Sequence, residues 1–118
     1  MDRQAILHLC SRENLRPLRD KILSISGFEV DSTLTPDDVP RMLASRRYDL
    51  VLLDIEGEEK IPMAERLCSQ IKKELPEQKV AFVCNWRVAM LTDCADEILR
   101  TEFDPAAFVK GVREAASR

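Results

Sequence analysis

The sequence predicts an α/β domain built on a doubly wound parallel sheet. Three observations carry that expectation: five apolar strand signals, helical periodicity between them, and cap or turn residues at the boundaries. Parallel neighbours need crossover connections, and helices supply them on both faces of the sheet.

Ala5 to Cys10 is the first apolar run. From Asn14 to Ser26, Leu15, Leu18, Ile22 and Ile25 recur at helical intervals, and Gly27 stands where a left-handed cap would end the helix. Phe28-Glu29-Val30 is a brief second strand. Thr35-Pro36-Asp37-Asp38 then reads as an N-cap, a proline in the first helical position and two acids at the positive end of the helix dipole. That helix continues to the neighbourhood of Arg46 and buries Val39 with Met42 or Leu43. Tyr48 to Asp54 is the third strand. Ile61, Ala64, Leu67 or Cys68, and Ile71 mark the next helix, with Pro76 in the loop beyond it. Lys79 to Cys84 is the fourth strand and Glu97 to Arg100 a weaker fifth. Asp104-Pro105 opens a last helix whose inward face is Phe108, Val112 and Ala115.

With 118 residues, 45% hydrophobic and 33% charged, the chain suits a single domain spanning 1–118. A net charge of −3 and a pI near 5.2 give no electrostatic footprint for nucleic acid or an anionic membrane. No stretch approaches the ~20 apolar residues of a membrane span. Met1-Asp2-Arg3-Gln4 carries no signal-peptide pattern, so a cytoplasmic location is expected, with Cys10, Cys68, Cys84 and Cys94 reduced. Their spacing matches neither a CxxC motif nor a zinc site. There is no GxGxxG or Walker loop, and no Ser-His-Asp or Cys-His arrangement that the order of elements would assemble, so no enzyme is expected.

The most informative stretch is Tyr48-Asp49-Leu50-Val51-Leu52-Leu53-Asp54, an apolar strand ending in a carboxylate before the turn-like Ile55-Glu56-Gly57. A carboxylate placed there lies at the carboxyl edge of the sheet, where open α/β folds put their chemistry.

That strand, with Gly27-Phe28-Glu29-Val30 leading into strand two and Phe103-Asp104-Pro105 opening the last helix, resembles the receiver domain of two-component response regulators over essentially the whole chain. The resemblance implies a flavodoxin-like five-stranded sheet of order 2-1-3-4-5, with Asp54 as the phosphoacceptor candidate. It also implies protein partners, a histidine kinase or an output domain. The rest of the family's chemical set departs from its pattern. Cys10 and Ser11 stand where two acids would hold Mg²⁺, Cys84 where a hydroxyl residue ends strand four, and Thr101 with Glu102 where a lysine would precede a proline.

Mg²⁺ demands near-octahedral oxygen coordination. Asp54, the main-chain carbonyl of Glu56 and the loop acid Glu13 are only weak candidates for it, so no cofactor is expected unless Asp54 is a working phosphoacceptor. Glu13 otherwise opens the first helix near its positive end. From Cys84 to Thr101 the chain is shorter than the family's usual span, which predicts a shortened or missing fourth helix and an altered signalling face.

Cys10 and Cys84 emerge on the two strands flanking that of Asp54. Two strand spacings separate them by about 9.6 Å, beyond the ~7 Å reach of a disulfide; a thiol-based switch or soft-metal site there would need an accessible thiol of depressed pKa. Cys68 and Cys94 read as positions without a partner. His8, in phase with Ile6 and Cys10, reads as a hydrogen-bonded core histidine. Trp86 and Arg87 are interaction candidates beside the site. Lys72-Lys73 and Arg46-Arg47 read as solvated helix ends. The expectation is thus a receiver-like domain, degenerate at most of its chemical positions and acting through protein contacts. The alternative is a working phosphoacceptor whose missing ligands come from Glu13 or another chain.

Overall fold

The computed structural model describes residues 3–55, 60–84, 94–100 and 104–117. The strands are β1 (Ala5–Leu9), β2 (Glu29–Thr33), β3 (Leu50–Ile55), β4 (Val80–Cys84) and β5 (Glu97–Arg100). The helices are α1 (Arg16–Ile25), α2 (Asp38–Ser45), α3 (Ile61–Glu74) and α4 (Pro105–Ala116). All strand pairs are parallel, in the order β2-β1-β3-β4-β5. This is the expected flavodoxin-like sheet. The expected loss of the fourth helix falls on residues 85–93, outside the described residues.

Strand alternation sends the two sides of the sheet into separate cores. Leu7, Leu9, Val51, Leu53, Val80, Phe82 and Cys84 pack with Val39 of α2 and with Ala64, Leu67, Cys68 and Ile71 of α3. Ile6, Leu50, Leu52, Ala81 and Val83 pack with Leu23 of α1, Phe28, and Phe108, Val112 and Ala115 of α4. Asp104 accepts hydrogen bonds from the Ala106 and Ala107 amides, and Pro105 fills the first helical position of α4. Gly27, at φ +100°, is the left-handed turn after α1.

Three local readings change. β2 extends to Thr33 because it pairs with β1 through Leu9. α2 starts later than the proline suggests: Asp37, not Thr35, is its N-cap and makes no side-chain cap bond, while the Thr35 and Thr33 hydroxyls donate to the Asp38 carboxylate at 3.0 and 2.8 Å. In α1, Leu18 and Ile25 are 56% and 75% exposed, whereas Leu23 is fully buried. The helix therefore does not turn its regular apolar stripe fully inward. Arg16, Arg19, Asp20 and Leu23, spaced i, i+3, i+4 and i+7, form the inward stripe, and its first turns carry charge toward the end of β3.

The cysteine reading needs a correction as well. Cys68 of α3 and Cys94, in the approach to β5, form a disulfide with a Cα–Cα distance of 6.3 Å. The spacing of 26 residues hid a pair that the crossover from α3 through β4 brings together. Lys72, read as solvated, reinforces that junction: its ammonium donates to Asp96 and to the Gln78 carbonyl, each at 2.6 Å. Arg46 likewise reaches Glu29 at 2.8 Å and Asp31 at 3.1 Å.

Candidate functional site: a neutralised carboxylate at the sheet edge

Asp54 pairs in register with Val83, one residue from the end of β3, and its side chain faces the α1/α4 side of the sheet. Only 5% of the residue is exposed. Burying a carboxylate without partners is costly, so the surrounding donors matter. Arg19 donates to Asp54 Oδ2 from α1, and His8 Nε2 lies 3.3 Å from the same oxygen across β1. Asp54 Oδ1 has no hydrogen-bond partner among the described residues.

The network continues behind His8. Its Nδ1 is 2.8 Å from Asp20 Oδ1. The Ser32 hydroxyl donates to Asp20 Oδ2 at 2.6 Å, and Arg16 donates to the Ser32 hydroxyl at 2.9 Å and to Asp20 at 3.5 Å. Three strands and one helix are thereby joined, through the alternating charges Arg19, Asp54, His8, Asp20 and Arg16 and the Ser32 hydroxyl. Arg19 also lies over the Phe108 ring, 5.7 Å from its centroid, which ties α4 to the same point.

Burial opposes the charged form of His8, but the hydrogen bonds and charges of Asp20 and Asp54 outweigh it and raise its pKa. Burial also pushes Asp54 up, while the His8 hydrogen bond and the Arg19 charge pull it below its usual value. Asp20 is lowered in the same sense by His8, Ser32 and Arg16 against its own desolvation. In its charged form, which both carboxylates favour, the imidazole donates from both nitrogens, one to each carboxylate.

A pH dependence follows. His8 contributes stability that is complete below its unfolded value of 6.5 and is lost as pH rises through its raised folded value. Asp54 and Asp20 contribute stability that is complete above their unfolded value of 3.8 and is lost as pH falls through their lowered folded values. With Cys10, Arg16 and Arg19 as the other ionisable groups of the cluster, urea midpoints are expected to peak between about pH 4 and pH 6.5 and to decline on either side. His8→Gln should flatten the alkaline limb; an unchanged limb in that variant would remove His8 from the account.

The other expected site residues divide. Cys10 follows β1 with its side chain beside His8 and Asp54. Burial and the Asp54 charge push its thiol up to about 12, the opposite of what a reactive thiol requires. Cys84 is buried in the core on the other side of the sheet, so the two thiols point to opposite faces as well as lying two strands apart. Ser11 and Glu13 are exposed in the loop before α1, and neither is hydrogen-bonded to Asp54 among the described residues. Glu56, Trp86, Arg87, Thr101 and Glu102 lie outside the described residues.

Sequence reading placed His8 in the core but missed its place in the site, and missed Arg16, Arg19, Asp20 and Ser32 altogether. The available signal was the charged stripe Arg16, Arg19, Asp20 in phase with Leu23, hidden by the more regular apolar series beside it. Magnesium, which the receiver resemblance implies, does not fit these donors. Oδ2 of Asp54 is held by two cationic groups, Cys10 offers sulfur, and Ser11 faces solvent.

Sheet order, helix placement and a carboxylate at the end of β3 define the fold of response-regulator receiver domains. The receiver domain protein from Methanospirillum hungatei superposes with a TM-score of 0.81 at 20% identity, covering 98% of this chain and 95% of that one. TrrA from Thermotoga maritima, in complex with Mg²⁺-BeF, gives 0.79 at 24% identity over 95% of this chain and 98% of its own. In complex with the histidine kinase ThkA, TrrA gives 0.79 at 25% identity, covering 95% and 97% of the two chains. No protein-family model matches the chain, and no curated protein matches it. No helix among the described residues is long and apolar enough to cross a membrane.

Proposed function

We propose that the chain is one receiver-like signalling domain of a two-component system, acting through protein contacts rather than through phosphorylation of Asp54. The observation that carries this reading is the double engagement of Asp54 Oδ2 by Arg19 and His8. In an active receiver that carboxylate must meet a metal and a phosphoryl group; here internal cations already neutralise it. Moving a dianionic phosphoryl group in would require displacing charge-assisted bonds in a buried setting, where they are strongest. TrrA is found with its kinase ThkA, which supports a histidine kinase or an output protein as the class of partner.

A second reading rests on one atom. Asp54 Oδ1 has no hydrogen-bond partner among the described residues, and an open carboxylate oxygen is what attack on phosphorus needs. Intact mass after incubation with acetyl phosphate and Mg²⁺, with Asp54→Asn as control, separates the two. The expected result is an unchanged mass. A labile adduct of one phosphoryl group, absent from Asp54→Asn, would replace the contact-only reading with a phosphorylation switch.

A further inference from the structure

The donors that fail magnesium suit a different class of ion. A ring nitrogen of His8, Cys10 Sγ and an Asp54 carboxylate oxygen lie within 4.8 Å of one another, and all three residues are buried. Imidazole, thiolate and carboxylate together are a ligand set for zinc and its borderline neighbours. We propose that His8, Cys10 and Asp54 form a buried site for a thiophilic divalent transition-metal ion, with Asp54 Oδ1 as the carboxylate ligand.

Three features besides the spacing point there. Oδ1 is buried without a hydrogen-bond partner, a condition that calls for an explanation in a folded protein and that coordination would supply. Asp20 holds Nδ1 of His8 at 2.8 Å, the carboxylate–histidine arrangement that presents the other ring nitrogen to a metal. Arg19 engages Oδ2 and leaves Oδ1 open, so the ligating carboxylate is oriented by a bond of its own. Bonds of about 2.0–2.3 Å put tetrahedral ligand atoms about 3.3–3.8 Å apart, so side-chain rotations of about 1 Å close the set and leave a fourth position for water.

Binding balances in charge. The ion enters with two positive charges, while the Cys10 thiol proton and the Nε2 proton of the imidazolium leave to solvent. The S–H and N–H bonds are replaced by metal–sulfur and metal–nitrogen bonds. No redox step is involved. The cluster keeps its net charge, and Arg19 keeps its partner. The site uses side chains of this chain alone, so it stands whether or not signalling depends on contacts only.

The test is to unfold the whole protein without reductant, strip it with chelator, and refold it with Co²⁺. The Cys68–Cys94 bond stays closed, leaving Cys10 and Cys84 as the thiols. One equivalent of Co²⁺ should give thiolate-to-cobalt absorption in the near ultraviolet. Cys10→Ser should abolish it, Cys84→Ser should keep it, and Zn²⁺ should displace it. Asp20→Asn should weaken binding about 10- to 100-fold. In the unaltered protein, Zn²⁺ should raise the melting temperature in a concentration-dependent way while Mg²⁺ does not. A folded protein without the band, a band that survives Cys10→Ser, or a band lost in a folded Cys84→Ser would overturn the site. Should Cys10→Ser not fold, the Co²⁺-shifted imidazole resonances of His8 in the unaltered protein decide, and their absence overturns it equally. With the acetyl phosphate incubation carried out on chelator-stripped protein, the cobalt band reports the metal site and the phosphoryl adduct reports Asp54 as acceptor, so the two readings fail separately.

Discussion

Arg19→Met is expected to cost about 3 kcal/mol of folding stability, because it strands a buried carboxylate while keeping most of the side chain's apolar contact. The Arg19 side chain is 13% exposed and that of Asp54 only 1%, so water replaces the guanidinium poorly. His8 remains beside Asp54 and holds the loss to the low end of the range for a broken buried pair. Urea denaturation near pH 6 reads the effect as a lower midpoint at unchanged slope. Asp54→Asn in the Arg19→Met background should cost less than in the unaltered protein, since the charge that needed Arg19 is gone. A loss below about 1 kcal/mol would class the pair with exposed ion pairs and remove Arg19 from the site.

Reducing the Cys68–Cys94 bond is expected to have a comparable effect by a different route. It closes a stretch of 26 residues running from α3 through β4 to the approach to β5. Freeing that stretch in the unfolded chain destabilises the fold by about 3 kcal/mol, which lowers the melting temperature by on the order of 10 °C for a domain of this size. The Lys72–Asp96 ion pair and the bond from the Val80 amide to Asp96 at 2.8 Å hold the same junction, so the reduced protein should still fold. Cys94→Ser should reproduce the loss and abolish any further response to reductant. A melting temperature indifferent to reductant in the unaltered protein would sink the prediction.

The sheet was legible because its signals are local. Apolar runs bounded by turns located β1, β3 and β4, and the Asp104-Pro105 cap located α4. β2 was read short because Asp31, Ser32 and Thr33 have no strand pattern of their own; pairing with β1 makes them a strand. The site was half legible. Asp54 was visible because a lone acid ending an apolar strand contradicts its surroundings. Arg16, Arg19 and Asp20 looked like ordinary surface charges of an amphipathic helix, and only the packing angle of α1 decides which stripe meets the sheet. The disulfide was invisible for a related reason, since residues 68 and 94 meet only through the β4 crossover.

The inward charges of α1 reverse the usual rule of substitution tolerance. In most amphipathic helices the apolar residues resist replacement and the charged ones drift. Here Leu18 and Ile25 stand in solvent while Arg19 and Asp20 anchor the helix through directional bonds to β1, β2 and β3. Variation along α1 should therefore run freely through Leu18 and Ile25 and stop at Arg19, Asp20 and the buried Leu23. Ranking positions by hydrophobicity alone would protect the solvent-facing Leu18 and Ile25 and overlook Arg19 and Asp20.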